Sequence, residues 1–161
     1  MTAPMRVLGA AASYSELAFV YFEGGNLRYW GIHRRALQSI EAGFTLSLRW
    51  IGRFDPMLVI VPDYGEESRK GQRARALVEI VAAAAADKGV ACIRASRPKP
   101  RKNKYEEAAL LALIFPQLAP RVPPPRKAWE PERRGVILFE AVGVTHTWLW
   151  QNREGTLPLP F

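Results

Sequence analysis

At 161 residues, 48% of them apolar, the chain is long enough for one hydrophobic core and too apolar to be disordered. Lys and Arg number 23 against 15 Asp and Glu, and the resulting net charge of +8 points to a polyanionic partner, because neutralising phosphates releases counterions. The single cysteine, Cys92, excludes an internal disulfide framework and fits a reducing cytoplasm. Met1–Arg6 lacks the charged and apolar regions of a signal peptide. The apolar run near the C-terminus contains Glu140 and His146 and is too short and polar to span a bilayer, so no membrane partner is expected.

In chain order, Arg6–Ala12 is a small-residue apolar run suited to a buried strand. Leu17–Glu23 and Leu27–His33 form two more strands around a Gly24-Gly25-Asn26 turn, giving an antiparallel meander. Leu37, Ile40, Phe44, Leu48 and Ile51 recur at helical spacing and predict one apolar face, ended by Asp55-Pro56. Met57–Val61 is a continuous apolar run, read as a central strand. A second helix is expected over 66–88, with Glu66 and Glu67 at its start, Leu77, Val81 and Ala84 as its stripe and Lys88-Gly89 as its stop. Val90–Arg94 is a fifth strand, parallel to the fourth through a right-handed crossover.

A basic, proline-rich loop over 96–104 then leads to a short apolar helix at Tyr105–Phe115. Pro116–Lys127 reads as an extended connection. Pro131 opens a last helix running to about Trp150; its β-branched run also suits a strand, but the length favours a helix. The chain is expected to be a single domain over 1–154 with a loose tail at 155–161.

This order resembles the RNase H-like fold, and four segments sharpen the likeness. Val7–Ala11 with Leu17–Val20, Asp55–Val61, Arg101–Glu107 and Glu140–His146 resemble the first hairpin, fourth strand, basic loop and final helix of RuvC-type Holliday junction resolvases. The resemblance implies an α/β, RuvC-like five-stranded mixed sheet with helices on both faces. It also implies a magnesium- or manganese-dependent endonuclease, usually homodimeric, with carboxylates at the ends of the first and fourth strands and on the last helix. Such carboxylates are needed because hard cations take oxygen ligands and two ions clamp the attacking and leaving oxygens of a phosphodiester.

This sequence departs from that pattern. The first-strand acid position falls on Ala11, flanked by Ala10 and Ala12, the fourth-strand position on Val61, and one helical acid on Ile137. Asp63 and Glu140 remain as catalytic or metal candidates, with Glu16 as a third acid. The expectation is therefore a nucleic-acid-binding relative, DNA foremost, without robust cleavage and without a cofactor. The alternatives are an active structure-specific endonuclease and an assembly subunit with an inactivated nuclease fold. The candidate phosphate contacts are Arg97, Lys99, Arg101, Lys102 and Lys104 in the basic loop, and Arg69, Lys70 and Arg73 on the second helix. Arg133 and Arg134 flank the start of the last helix. Trp129, Trp148 and Trp150 are expected as core or interface aromatics, one of Tyr29 and Trp30 facing outward, and Tyr64 as a base-stacking candidate. His33 and His146 have no partner at metal-ligand spacing and are expected to be structural.

Overall fold

A computed structural model of the protein describes residues 4–34, 38–65, 70–96, 103–124, 127, 129–130 and 135–152. Strands β1 (Arg6–Ala12), β2 (Leu17–Glu23) and β3 (Asn26–His33) form the expected meander. β1 and β2 pair from Arg6↔Glu23 to Ala12↔Leu17, and β2 pairs with β3 from Glu23↔Asn26 to Leu17↔His33. Gly24 and Gly25 turn the β2–β3 hairpin at φ +58° and +84°, angles that glycine adopts without a Cβ penalty. β4 (Leu58–Pro62) lies parallel to β1, and β5 (Ala91–Ala95) parallel to β4. The sheet is therefore mixed, in the order β3-β2-β1-β4-β5.

Helices α1 (Ile40–Phe54) and α2 (Gln72–Asp87) cover one face, over Leu8, Phe19, Val59 and Val61. Helices α3 (Lys104–Ile114) and α4 (Val136–Gln151) cover the other, over Val7, Val20, Phe22 and Ile60. Each such large apolar side chain, fully buried, contributes about 1.5–3 kcal/mol. α4 seats closely on β1. A Cβ on Gly9 would lie 1.8 Å from Thr145 Oγ1, whose hydroxyl donates to the Ala141 carbonyl at 2.7 Å. Only glycine permits that approach, and it carries the first half of α4 toward the carboxyl end of β1.

Several expectations shift. The buried face of α1 is Gly43, Ser47 and Ile51, while Ile40 is 70% exposed and Phe44 and Leu48 lie half-buried beside it. α2 packs against this face; small residues let two helices approach, and the Ser47 hydroxyl is satisfied by the Gly43 carbonyl at 2.8 Å. α2 begins at Gln72 after Gly71, later than expected, so Lys70 precedes the helix; Leu37, Glu66 and Glu67 lie outside the described residues. Its stripe and its stop at Lys88 and Gly89 are as read.

Pro116–Arg121 is a 3-10 helix rather than an extended connection. Tertiary anchors decide this: Leu118 is fully buried, and the Gln117 side-chain amide donates to the Leu27 carbonyl at 3.0 Å. The β-branched run of α4 is helical and buried through most of its length, between the sheet and α3. Trp30 packs into the core and Tyr29 is half-exposed, whereas Trp129 is 79% exposed and so not a core residue. Among the described residues, no helix is long and apolar enough to cross a membrane.

Candidate functional site

The parallel ladder between β1 and β4 runs from Val7↔Leu58 to Gly9↔Ile60 and stops. Beyond it Ala10–Ala12 has no β4 partner, so the two strands part at their carboxyl ends, and this crevice between them is the usual place for a site in a sheet of this kind, although Ala10–Ala12 are themselves buried. Tyr64 fills the gap. Its hydroxyl accepts from the Ala12 N–H at 3.3 Å, and its one proton has Glu140 Oε2 at 2.9 Å and the Ala12 carbonyl at 3.1 Å within reach. Burial first, and then the charge of Glu140, push the phenol far above its ordinary pKa, so Tyr64 remains a donor.

Lys70 completes the cluster. Its ammonium donates to Glu140 Oε2 at 3.1 Å and to the Ala12 carbonyl at 3.0 Å, and lies 5.3 Å from the Tyr64 ring centre. The two side chains are only 17% and 24% exposed, so this is a partly desolvated, hydrogen-bonded ion pair rather than a solvated one. Arg75 of α2 holds the segment that presents both groups. Its guanidinium donates to the Tyr64 carbonyl, to the Gly65 carbonyl at 2.9 Å and to the Lys70 carbonyl at 3.0 Å.

The acidic candidates occupy separate surroundings. Asp63 is exposed; its N–H continues the β4–β5 ladder to the Ala95 carbonyl at 2.9 Å, and its charge acts on Arg94 of β5. Glu16 is buried, accepting from the Gly135 N–H at the start of α4 at 3.3 Å and from Arg34 at 3.4 Å. A carboxylate at a helix N-terminus is a stabilising arrangement, so Glu16 is already engaged structurally. Ala11, Val61 and Ile137 are buried apolar residues where the resembled family carries acids. Among the described residues, no three His, Cys, Asp or Glu side chains come together as a metal site. Among the described residues the donors do not fit a pair of divalent ions: Glu140 is the one described carboxylate bonded within this cluster, and a lysine ammonium already opposes it.

The basic candidates divide similarly. Lys70 turns inward to Glu140 rather than outward. Arg73 lies 5.1 Å over the ring of Tyr14, which is 75% exposed in the β1–β2 loop. Lys104 opens α3 on the surface behind the Asn103 cap, which accepts from the N–H groups of Tyr105 and Glu106 at 3.0 and 2.9 Å. Arg69, Arg97, Lys99, Arg101, Lys102, Arg133 and Arg134 lie outside the described residues. Tyr64, read as a stacking residue, is instead committed to the crevice. His33 accepts from the Trp50 indole at 3.0 Å, and burial, then the charge of Arg49, lowers its pKa. His146 stands edge-on to Phe115, and its pKa is likewise lowered by burial.

No family model matches the sequence, and neither does any curated protein sequence. Solved structures do match. RuvC from Thermus thermophilus superposes with a TM-score of 0.60 at 15% identity, over 96% of this chain and 100% of that one. The fowlpox virus Holliday junction resolvase gives 0.58 at 10%, over 90% and 98%. The yeast mitochondrial Holliday junction resolvase Ydc2 gives 0.55 at 12%, over 90% and 78%. The fold class is thus RNase H-like. Within that class, the chain has the RuvC-like form, from the opening meander to the last helix.

Proposed function

We propose that the protein binds nucleic acid, DNA foremost, through this end of the sheet and does not cleave it robustly. The observation that carries the second half is the Lys70 ammonium bridging Glu140 and the Ala12 carbonyl. A fixed internal cation there neutralises the carboxylate that a divalent ion would need, and Ala11 supplies no second one. The first half is supported by the net charge of +8 and by the fold neighbours, of which the Thermus thermophilus and fowlpox virus proteins are also known in complex with Holliday junction DNA. In this reading Lys104, with Arg97, Lys99, Arg101 and Lys102, contacts phosphates, while Arg73 and Tyr14 flank the crevice.

The test is a labelled four-way junction titrated with protein at several salt concentrations, then incubated with 10 mM magnesium or manganese. The expected result is steeply salt-dependent binding, with no cleavage above that of a heat-denatured control. Metal-dependent cleavage abolished by Glu140→Gln or Asp63→Asn contradicts the second half of the reading. Absence of binding at low salt contradicts the first and leaves an assembly role.

A further inference from the structure

A second cavity lies at the same end of the sheet, on the far side of the meander. Pairing runs from Ala12 to Leu17 to His33, so the carboxyl end of β3 stands two strands from the crevice, about 10 Å away at normal strand spacing. There an open pocket of about 820 Å³ is bounded by the end of β3, the first three turns of α1 and the last residue of the 3-10 helix. That volume is within the usual range for a small-ligand site, roughly 300–1,000 Å³.

Its described lining is unusual in charge. Arg34, Arg49 and Arg121 come from three separate segments and face a single carboxylate, Glu41. Arg34 is partly engaged, through its Nε contact with Glu16 at 3.4 Å. The side chains of Arg49 and Arg121 form no hydrogen bond or ion pair among the described residues. The fold brings them together deliberately in space: the 3-10 helix is tied to β3 through Gln117 and Leu27, which carries Arg121 along the sheet edge toward Ile32. Ile32 and Leu46 add apolar surface beside the guanidinium groups. Planar, permanently charged guanidinium forks match the oxygens of a phosphate group.

We propose that this pocket is a phosphate-binding site in which Arg49 and Arg121 hold one phosphate group. That the phosphate belongs to a bound nucleic-acid strand rests on the proposed function. The residues are exposed, so their replacement leaves the core untouched.

The experiment measures fluorescence anisotropy of a labelled four-way junction with the full chain, with Arg49→Ala/Arg121→Ala, and with Lys88→Ala as a charge control at the exposed end of α2. Orthophosphate is titrated in parallel while the arginine side-chain Nε–Hε resonances are followed by NMR. The expected result is at least tenfold weaker junction binding by the double variant, a salt slope reduced by about 1, a much smaller effect of Lys88→Ala, and phosphate-induced shifts at Arg49 and Arg121. Junction binding by the double variant equal to that of the parent or of Lys88→Ala overturns the site while leaving nucleic-acid binding intact. If the parent binds no junction, the proposed function fails separately; phosphate shifts at the two arginines then support a site for a free phosphate compound, and their absence overturns the pocket.

Discussion

The crevice beside Ala12 and the pocket beside β3 lie at one end of one sheet, and both contain basic residues, yet their charge is used in opposite ways. In the crevice the ammonium of Lys70 is bonded to Glu140 and to the backbone, inside a cluster closed by Tyr64. In the pocket Arg49 and Arg121 face solvent with no protein acceptor among the described residues. Positive charge already satisfied by the protein stabilises the fold and offers little to a ligand. Unsatisfied guanidinium groups are what a polyanion can neutralise. Basic composition alone therefore does not locate an interface; the partners of each cation do.

The comparison depends first on α4 resting where it does. Gly9→Val places a side chain against Thr145 and should lift α4 off β1, with a loss of about 3 kcal/mol or more in chemical denaturation, the upper end of overpacking costs. Retained stability would mean that α4 does not seat Glu140 over the crevice. Next comes the ion pair itself. Lys70→Met leaves a partly buried carboxylate without its cation and should lose about 2 kcal/mol, less than the cost of breaking a fully buried pair. Lys70→Met/Glu140→Gln should recover much of this in a double-mutant cycle, and simple additivity would show that the two groups do not interact.

Arg75→Ala removes the bonds to the Tyr64, Gly65 and Lys70 carbonyls without touching Glu140, and a loss of about 1 kcal/mol is expected. An unchanged melting temperature would show that the segment positions itself without that guanidinium. The smallest effect is a pH dependence. Burial of His33 and His146 lowers both pKa values below the ordinary 6.5, so the unfolded chain binds more protons under acid conditions. Their contribution is fully present above about pH 6.5 and is lost as pH falls through the folded values. His33→Gln should flatten the decline of melting temperature with acidification only in part, because His146 shifts in the same direction. An identical pH profile would remove His33 from the explanation.

Strong periodicity made much of this architecture legible. The meander was readable almost to the residue, because a glycine turn separates β2 from β3 and the apolar runs of β1 and β2 are continuous. The face of α1 was not, because Gly43 and Ser47 are small rather than apolar, and the demand for them comes from α2, which a local pattern does not contain. Absence of an acid at Ala11 was visible, but the pairing of Lys70 with Glu140 was not. Arg-Lys-Gly-Gln-Arg reads as a solvated basic run, and nothing local says that Lys70 folds back beneath Tyr64. Arg49 and Arg121 carry no local signal for a related reason: they converge through the path of the chain, not through spacing along it.

The decisive measurement is paramagnetic broadening by manganese, read by NMR on the amides of Ala11, Ala12, Tyr64 and Glu140. If the Lys70 ammonium holds the crevice, millimolar manganese leaves these signals no more affected than exposed amides elsewhere. Selective loss of those four signals at micromolar manganese would place an ion beside Glu140 and contradict the account.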